Sequence, residues 1–197
     1  MLGREEIARL ALSHIAQDHN LQSLDEHTTP ARQCKLWMKP ARIMALEQFD
    51  WSFARKRLTL TEHDEDPSVE WAYRYQYPVD CVRARLIDNG TGMKTEDPIP
   101  FTIEMEGAEK TILTDAESAA LIYTFDQTNG AMYTMSFSIA MSHALAYLIA
   151  YPLTRKTEVQ MAQYKAFFSA IATAAAHNAN EERAWPRREA AWIRGRS

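Results

Sequence analysis

From residue 3 to residue 18 apolar side chains return every three or four positions, Ile7, Leu10 and Ile15 among them, and this spacing predicts a helix. The polar stretch 19–28 reads as a linker. Thr29 followed by Pro30 opens a second helix, because a proline in the first turn gives up no hydrogen bond the helix would have made. Cys34, Leu36, Trp37, Ile43, Met44 and Leu46 carry this helix over 29–49, and Pro40 is expected to kink it or remove one hydrogen bond.

At Trp51 the period shortens to that of a strand. Ser52, Ala54, Lys56, Leu58 and Leu60 alternate with Trp51, Phe53, Arg55, Arg57 and Thr59. The stretch WAYRYQYP (71–78) puts Trp71, Tyr73, Tyr75 and Tyr77 on one face of a second strand. CVRARLID (81–88) puts Cys81, Arg83, Arg85 and Ile87 on one face of a third. FTIEMEG, KTILT and LIYTF follow as short strands, and HDEDPS and NGTGMKTEDP read as turn and loop. Two helices close the pattern, at 132–151, ended by Pro152, and at 157–178, where Thr157 and Gln160 fit a capping box. The last helix sets Tyr164, Phe167, Phe168, Ile171, Ala174 and Ala175 at helical spacing.

The expected class is α+β, mainly α. A four-helix bundle-like core spans 1–179, with a small antiparallel sheet of about five strands (51–126) inserted between helices 2 and 3. Residues 180–197 form an extended C-terminal arm.

One segment admits a membrane reading. Residues 131–153 contain no Asp, Glu, Lys or Arg, and a bilayer-spanning helix needs about 20 apolar residues. Thr134, Ser138 and Ser142 nevertheless make a polar stripe along one face, and His143 sits near the middle, where a bilayer penalises it. A helix apolar nearly all round is also the signature of a core helix, which is the reading adopted.

Composition then limits the function. The chain has 197 residues and a net charge of −4, which argues against a body that wraps DNA. Cys34 and Cys81 carry no metal or disulfide spacing and read as buried apolar residues. Glycines number only six, and no phosphate-binding glycine loop, nucleophile elbow or zinc-binding His pair occurs. His14, Asp18 and His19 read as exposed helix-end residues, His63, Asp64, Glu65 and Asp66 as a solvated turn, and His143 as a satisfied core histidine. No enzyme is expected.

FDWSFARKRLTL (49–60) remains. Arg55, Lys56 and Arg57 beside Trp51 and Phe53 suit either a nucleic-acid contact, with rings stacking bases and cations on phosphates, or a strand whose charges face water. Its surroundings resemble a known family. Ala31, Arg32 and Cys34 lead to Trp51, Phe53, Ala54, Lys56 and Arg57, and then to Tyr75, Tyr77, Pro78, Asp80, Cys81, Val82 and Arg83. The charge-free helix backed by Pro152 and Leu153, followed by a tyrosine-bearing helix, completes an order similar to that of the head-to-tail adaptors of tailed bacteriophages, the family that includes tail tubular protein A. The resemblance covers about residues 3–180, and Pro40 and the short sheet loops depart from it.

The resemblance implies a structural virion protein without catalysis or cofactor. Such a protein forms a ring, in relatives of twelve copies, beneath the portal protein and above a downstream tail or nozzle protein. Duplex DNA passes through without specific binding, and no membrane is involved. The cations of the junction then face water or a neighbouring subunit. The C-terminal segment would dock on the portal through Arg183, Trp185, Arg187, Arg188, Trp192 and Arg194, residue types enriched at binding hot spots. No heptad seam or broad apolar patch is readable, so the isolated chain is expected to be monomeric and to form rings on its partner. The alternative is a nucleic-acid-binding or DNA-packaging accessory protein that uses Arg55–Arg57 or the basic tail.

Overall fold

The computed structural model describes residues 2–16, 21–64, 70–88 and 98–181. In chain order these form α1 (Arg4–His14), α2 (Thr29–Glu47), β1 (Arg55–Thr59), β2 (Tyr73–Gln76), β3 (Cys81–Asp88), β4 (Phe101–Glu106), β5 (Glu109–Thr114), β6 (Ala120–Phe125), α3 (Met135–Thr154) and α4 (Thr157–Glu181). Side chains cap the helix starts. Thr28 Oγ1 accepts from the Ala31 N–H at 3.3 Å, Thr134 Oγ1 from Phe137 at 3.2 Å, and the Glu6 carboxylate from Gly3 at 2.7 Å.

Helix boundaries differ from the pattern where local bonds outweigh a breaker residue. α1 stops at His14, and Ala16 turns into the left-handed region at φ 54°. α2 runs through Pro40 without a break. Pro152 does not end α3. The helix continues to Thr154, whose hydroxyl donates to the Ala150 carbonyl at 2.7 Å, and the turn closes at Arg155, with φ 58°, through its N–H on the Tyr151 carbonyl. The first strand begins at Arg55, because Ser52–Ala54 wind into one 3₁₀ turn.

The expected class needs correction on three counts. The strands form two three-stranded antiparallel sheets, β1-β6-β3 and β2-β5-β4, in place of one small sheet. Helix makes up 50 % of the described residues, so the fold is α+β and not mainly α. The helices also do not close a bundle: α3 is the centre, and α1, α2 and α4 each pack on it.

The division into two sheets has a simple origin. β5 and β6 are consecutive, but each is the middle strand of a different sheet, and the turn 115–119 between them carries the chain from one sheet to the other. β6 is buried along most of its length and β5 from Thr111 to Thr114, while Glu109 and Lys110 at the start of β5 are exposed. Single bridges, Glu62 with Tyr75 and Ile87 with Ile99, tie the sheets together. Between them lies a core of Leu60, Tyr75, Ile87, Ile112, Ala119, Leu121 and Tyr123. This β core is separate from the helical one.

The helical core is built on α3. By length and composition α3 is apolar enough to cross a membrane, yet Phe137, Ala140, Met141, Ala144, Leu145, Ile149 and Ala150 are buried against the other helices. Ser138 and Ser142 are buried too, and each returns its hydroxyl proton to a carbonyl of its own helix, Thr134 at 3.0 Å and Ile139 at 2.7 Å. Phe167 of α4 is fully buried in the same core, with Ile171 and Leu148 packed there. Phe167→Ala should therefore destabilise the chain by about 3–5 kcal/mol in urea unfolding. A loss below about 1 kcal/mol would contradict this packing.

Candidate partner-binding surfaces

The junction 49–60 divides its two chemistries cleanly. Trp51 is fully buried, its indole N–H donates to the Ala45 carbonyl at 3.1 Å, and its ring meets those of Phe49, Phe53 and Phe137 at 5.0–5.9 Å. Phe53 is half-buried against the same core and Ala54 fully buried. These rings are unavailable for stacking on bases. β1 that follows is exposed throughout, and each of its cations faces a carboxylate: Arg55 on Asp50 at 2.9 Å, Lys56 on Asp80, and Arg57 on Asp88 at 2.9 Å. A phosphate would have to displace three ion pairs to use them.

The Lys56–Asp80 pair joins the two motif stretches. Asp80 also accepts from the Tyr123 hydroxyl at 2.8 Å, and the Lys56 ammonium lies 5.0 Å from the Phe125 ring centre. Burial alone would raise the Asp80 carboxyl, but the bonds from Lys56 and Tyr123 prevail and hold it below its usual range. Tyr77 and Pro78 lie beside Asp80 in a groove of about 460 Å³ that also includes His63, Val79, Cys81 and Lys110. Burial pushes up the Cys81 thiol and pushes the Cys34 thiol to about 12, so neither is an activated nucleophile.

Three features lie at the seam between the cores. Arg42 of α2, nearly buried, makes a two-pronged bond to Asp126 at 2.6 and 3.0 Å. Asn178 near the end of α4 accepts from the Ser52 N–H and hydroxyl at 3.2 and 2.9 Å. Arg85 of β3 reaches the carbonyls of Leu46, Glu47 and Phe49 at 3.2, 3.2 and 2.6 Å, and Arg83 adds Glu47 at 2.8 Å. α2 has neither a glycine stop nor a cation in its last turn, and two guanidiniums from the sheet take that place. Burial, with Arg83 nearby, lowers the affinity of Arg85 for its proton. A helix ending without a stop signal, and two arginines on one strand face, was the signal available in the sequence.

The outer surface of α4 is the least expected feature. From Ala166 to Asn180 the helix has no Asp, Glu, Lys or Arg, although Phe168, Ser169, Ala172, Thr173, Ala176 and Ala179 face solvent. Met161, Tyr164 and Phe168 are 49, 38 and 41 % exposed on its first half. Beside its second half runs an open groove of about 770 Å³ lined by Met135, Ile139, Ala170, Thr173 and His177. No broad apolar patch is expected from sequence, because exposure on α4 depends on which face α3 covers. His14, expected to be exposed, is half-buried against His143. Arg183, Trp185, Arg187, Arg188, Trp192 and Arg194 lie outside the described residues, as do Asp18, His19, Glu65 and Asp66.

A scan against protein-family models and a search of curated proteins find no match to this chain. The adaptor resemblance therefore rests on the ordered motifs themselves.

Arg85→Met should cost about 1.5–3 kcal/mol in urea unfolding, since it removes charged hydrogen bonds from several carbonyls at once. Arg85→Lys should recover only part, because one ammonium cannot span the same acceptors. A cost below about 0.5 kcal/mol would mean that water caps α2 equally well.

Proposed function

We propose that this chain is a structural adaptor subunit of a tailed-phage particle: it joins neighbouring copies in a ring between the portal and the tail and leaves the channel open to duplex DNA. The observation that carries this reading is the exposed face of α4 over residues 166–180, which holds no Asp, Glu, Lys or Arg. Solvent-facing helix surfaces normally carry charges, and a long uncharged face of small and aromatic side chains is suited to a protein partner.

Two further features support it. The motif stretches act as framework: Trp51 anchors the helices, and Lys56 and Asp80 clamp β1 to the start of β3. The charge balance of −4, with the β1 cations already paired, suits a wall past which DNA moves without being held. The alternative, a DNA-binding or packaging accessory protein, needs those same cations free or must act through the basic tail, which lies outside the described residues.

Mixing the purified chain with portal rings of the same phage decides between them. Electron micrographs should show a collar of subunits on the portal, and the chain alone should barely shift duplex DNA in a gel at physiological salt. Tight DNA binding without a collar would favour the accessory role. Deleting 181–197 should leave the melting temperature unchanged and abolish collar formation. Unchanged assembly would move the portal contact onto the folded body.

A further inference from the structure

The C-terminal end of α1 meets α3 and α4 through two stacked imidazoles. His14, the last residue of α1, lies face to face with His143 of α3, the ring centres 4.0 Å apart and the planes within 14°. Their neighbours fix the tautomers. The Ser142 hydroxyl donates to the Ile139 carbonyl at 2.7 Å, so its oxygen, 3.0 Å from His14 Nε2, accepts, and Nε2 carries the hydrogen. The Gln163 amide of α4 donates to the His14 carbonyl at 2.9 Å, so its oxygen, 2.9 Å from His143 Nδ1, accepts, and Nδ1 carries the hydrogen. Each neutral ring thus uses its one N–H. Any further proton enters at His14 Nδ1 or His143 Nε2 and places a cation against the neighbouring ring.

Among the described residues, nothing close by is arranged to receive that charge. α3 contributes His143, Tyr147 and Tyr151 as its only ionisable groups. On α1, Glu6 is held by the Gly3 N–H and Arg9 by the Leu21 carbonyl, and Arg4 and Glu5 lie in the first turn. On α4, Gln163 makes the contact, and the charges of Glu158 and Lys165 are exposed. Among the described residues, the one charge that bears on His14 is that of His143.

We infer that the His14–His143 stack is a proton-operated latch, which holds the end of α1 on α3 and α4 while His14 is neutral and releases it when that ring is protonated. Burial, then the neighbouring His143, lowers His14 from its ordinary 6.5 to about 4, outweighing the favourable field of the helix end. The open form therefore binds the proton more tightly than the closed form. The latch holds fully above about pH 6.5 and weakens as pH falls toward about 4. Because the rings are half-exposed, the opening equilibrium shifts several-fold across this window, short of the roughly tenfold per pH unit of a fully buried group. Release also frees Gln163, the neighbour of Tyr164 on the exposed part of α4, and so ties that surface to acidity.

Hydrogen exchange of the full chain at about pH 7.5 and about pH 5, corrected for intrinsic exchange rates, tests the latch. Amides 11–16 should lose protection several-fold at the lower pH in the natural chain, whereas in His14→Gln, which keeps a donor for Ser142 but takes no proton, the change should disappear. Equal acid sensitivity in both chains overturns the proposal. Should His14→Gln not fold, imidazole NMR titration of the natural chain decides: a His14 midpoint more than about one unit below 6.5 supports the latch, and any higher midpoint overturns it.

Discussion

The physical constraint behind this fold is a long helix without a charged side chain, most of whose apolar residues must be taken out of water. α3 has no Asp, Glu, Lys or Arg, and burying one of its Leu or Ile side chains is worth about 1.5–3 kcal/mol. One partner helix covers one stripe, so a helix apolar all round requires several. α1, α2 and α4 each cover a different part of α3, and the order of the rest follows from that. The small residues Ala140, Ala144 and Ala150, all fully buried, let the neighbours come close. The two buried serines cost little, because each hydroxyl bonds to a carbonyl of the same helix.

The β half cannot share that core, since its strands bury their own apolar faces between two sheets. The halves instead meet at a polar seam. Arg85 and Arg83 complete the end of α2, Arg42 and Asp126 form a charged clamp, and Trp51 plugs the helical side of the joint. Directional bonds of this kind fix an angle that apolar packing alone leaves loose. On the proposed adaptor reading, such a joint would let every copy of a ring present the same surfaces.

The four helices and the strand segments of the described residues could be read from periodicity, because the 3.6 and 2.0 repeats are local, although the alternation predicts about five strands and there are six. The partition into two sheets could not, since β6 pairs with β1 and β3 across long intervals and local alternation carries no pairing order. Pro152 misled for a related reason: a missing N–H ends a helix only when nothing else closes the turn, and Thr154 and Arg155 close it here. Of the candidate site, Lys56 and Asp80 are conspicuous in sequence, but their meeting is a product of the fold. The His14–His143 stack was hidden because its members come from opposite ends of the chain. The outer face of α4 was visible only as an alanine-rich run, and its meaning came from seeing which side α3 leaves uncovered.

On the proposed reading, the uncovered face of α4 is covered by a neighbouring protein in the assembled particle. Ala172 lies exposed in the middle of the uncharged run, so Ala172→Lys adds one charge there and disturbs no buried contact. Sedimentation of the variant with portal rings is the decisive measurement. The variant should fold normally, with unchanged circular dichroism and melting temperature, and should no longer join the collar. Assembly at the natural level by the lysine variant would contradict the proposed reading.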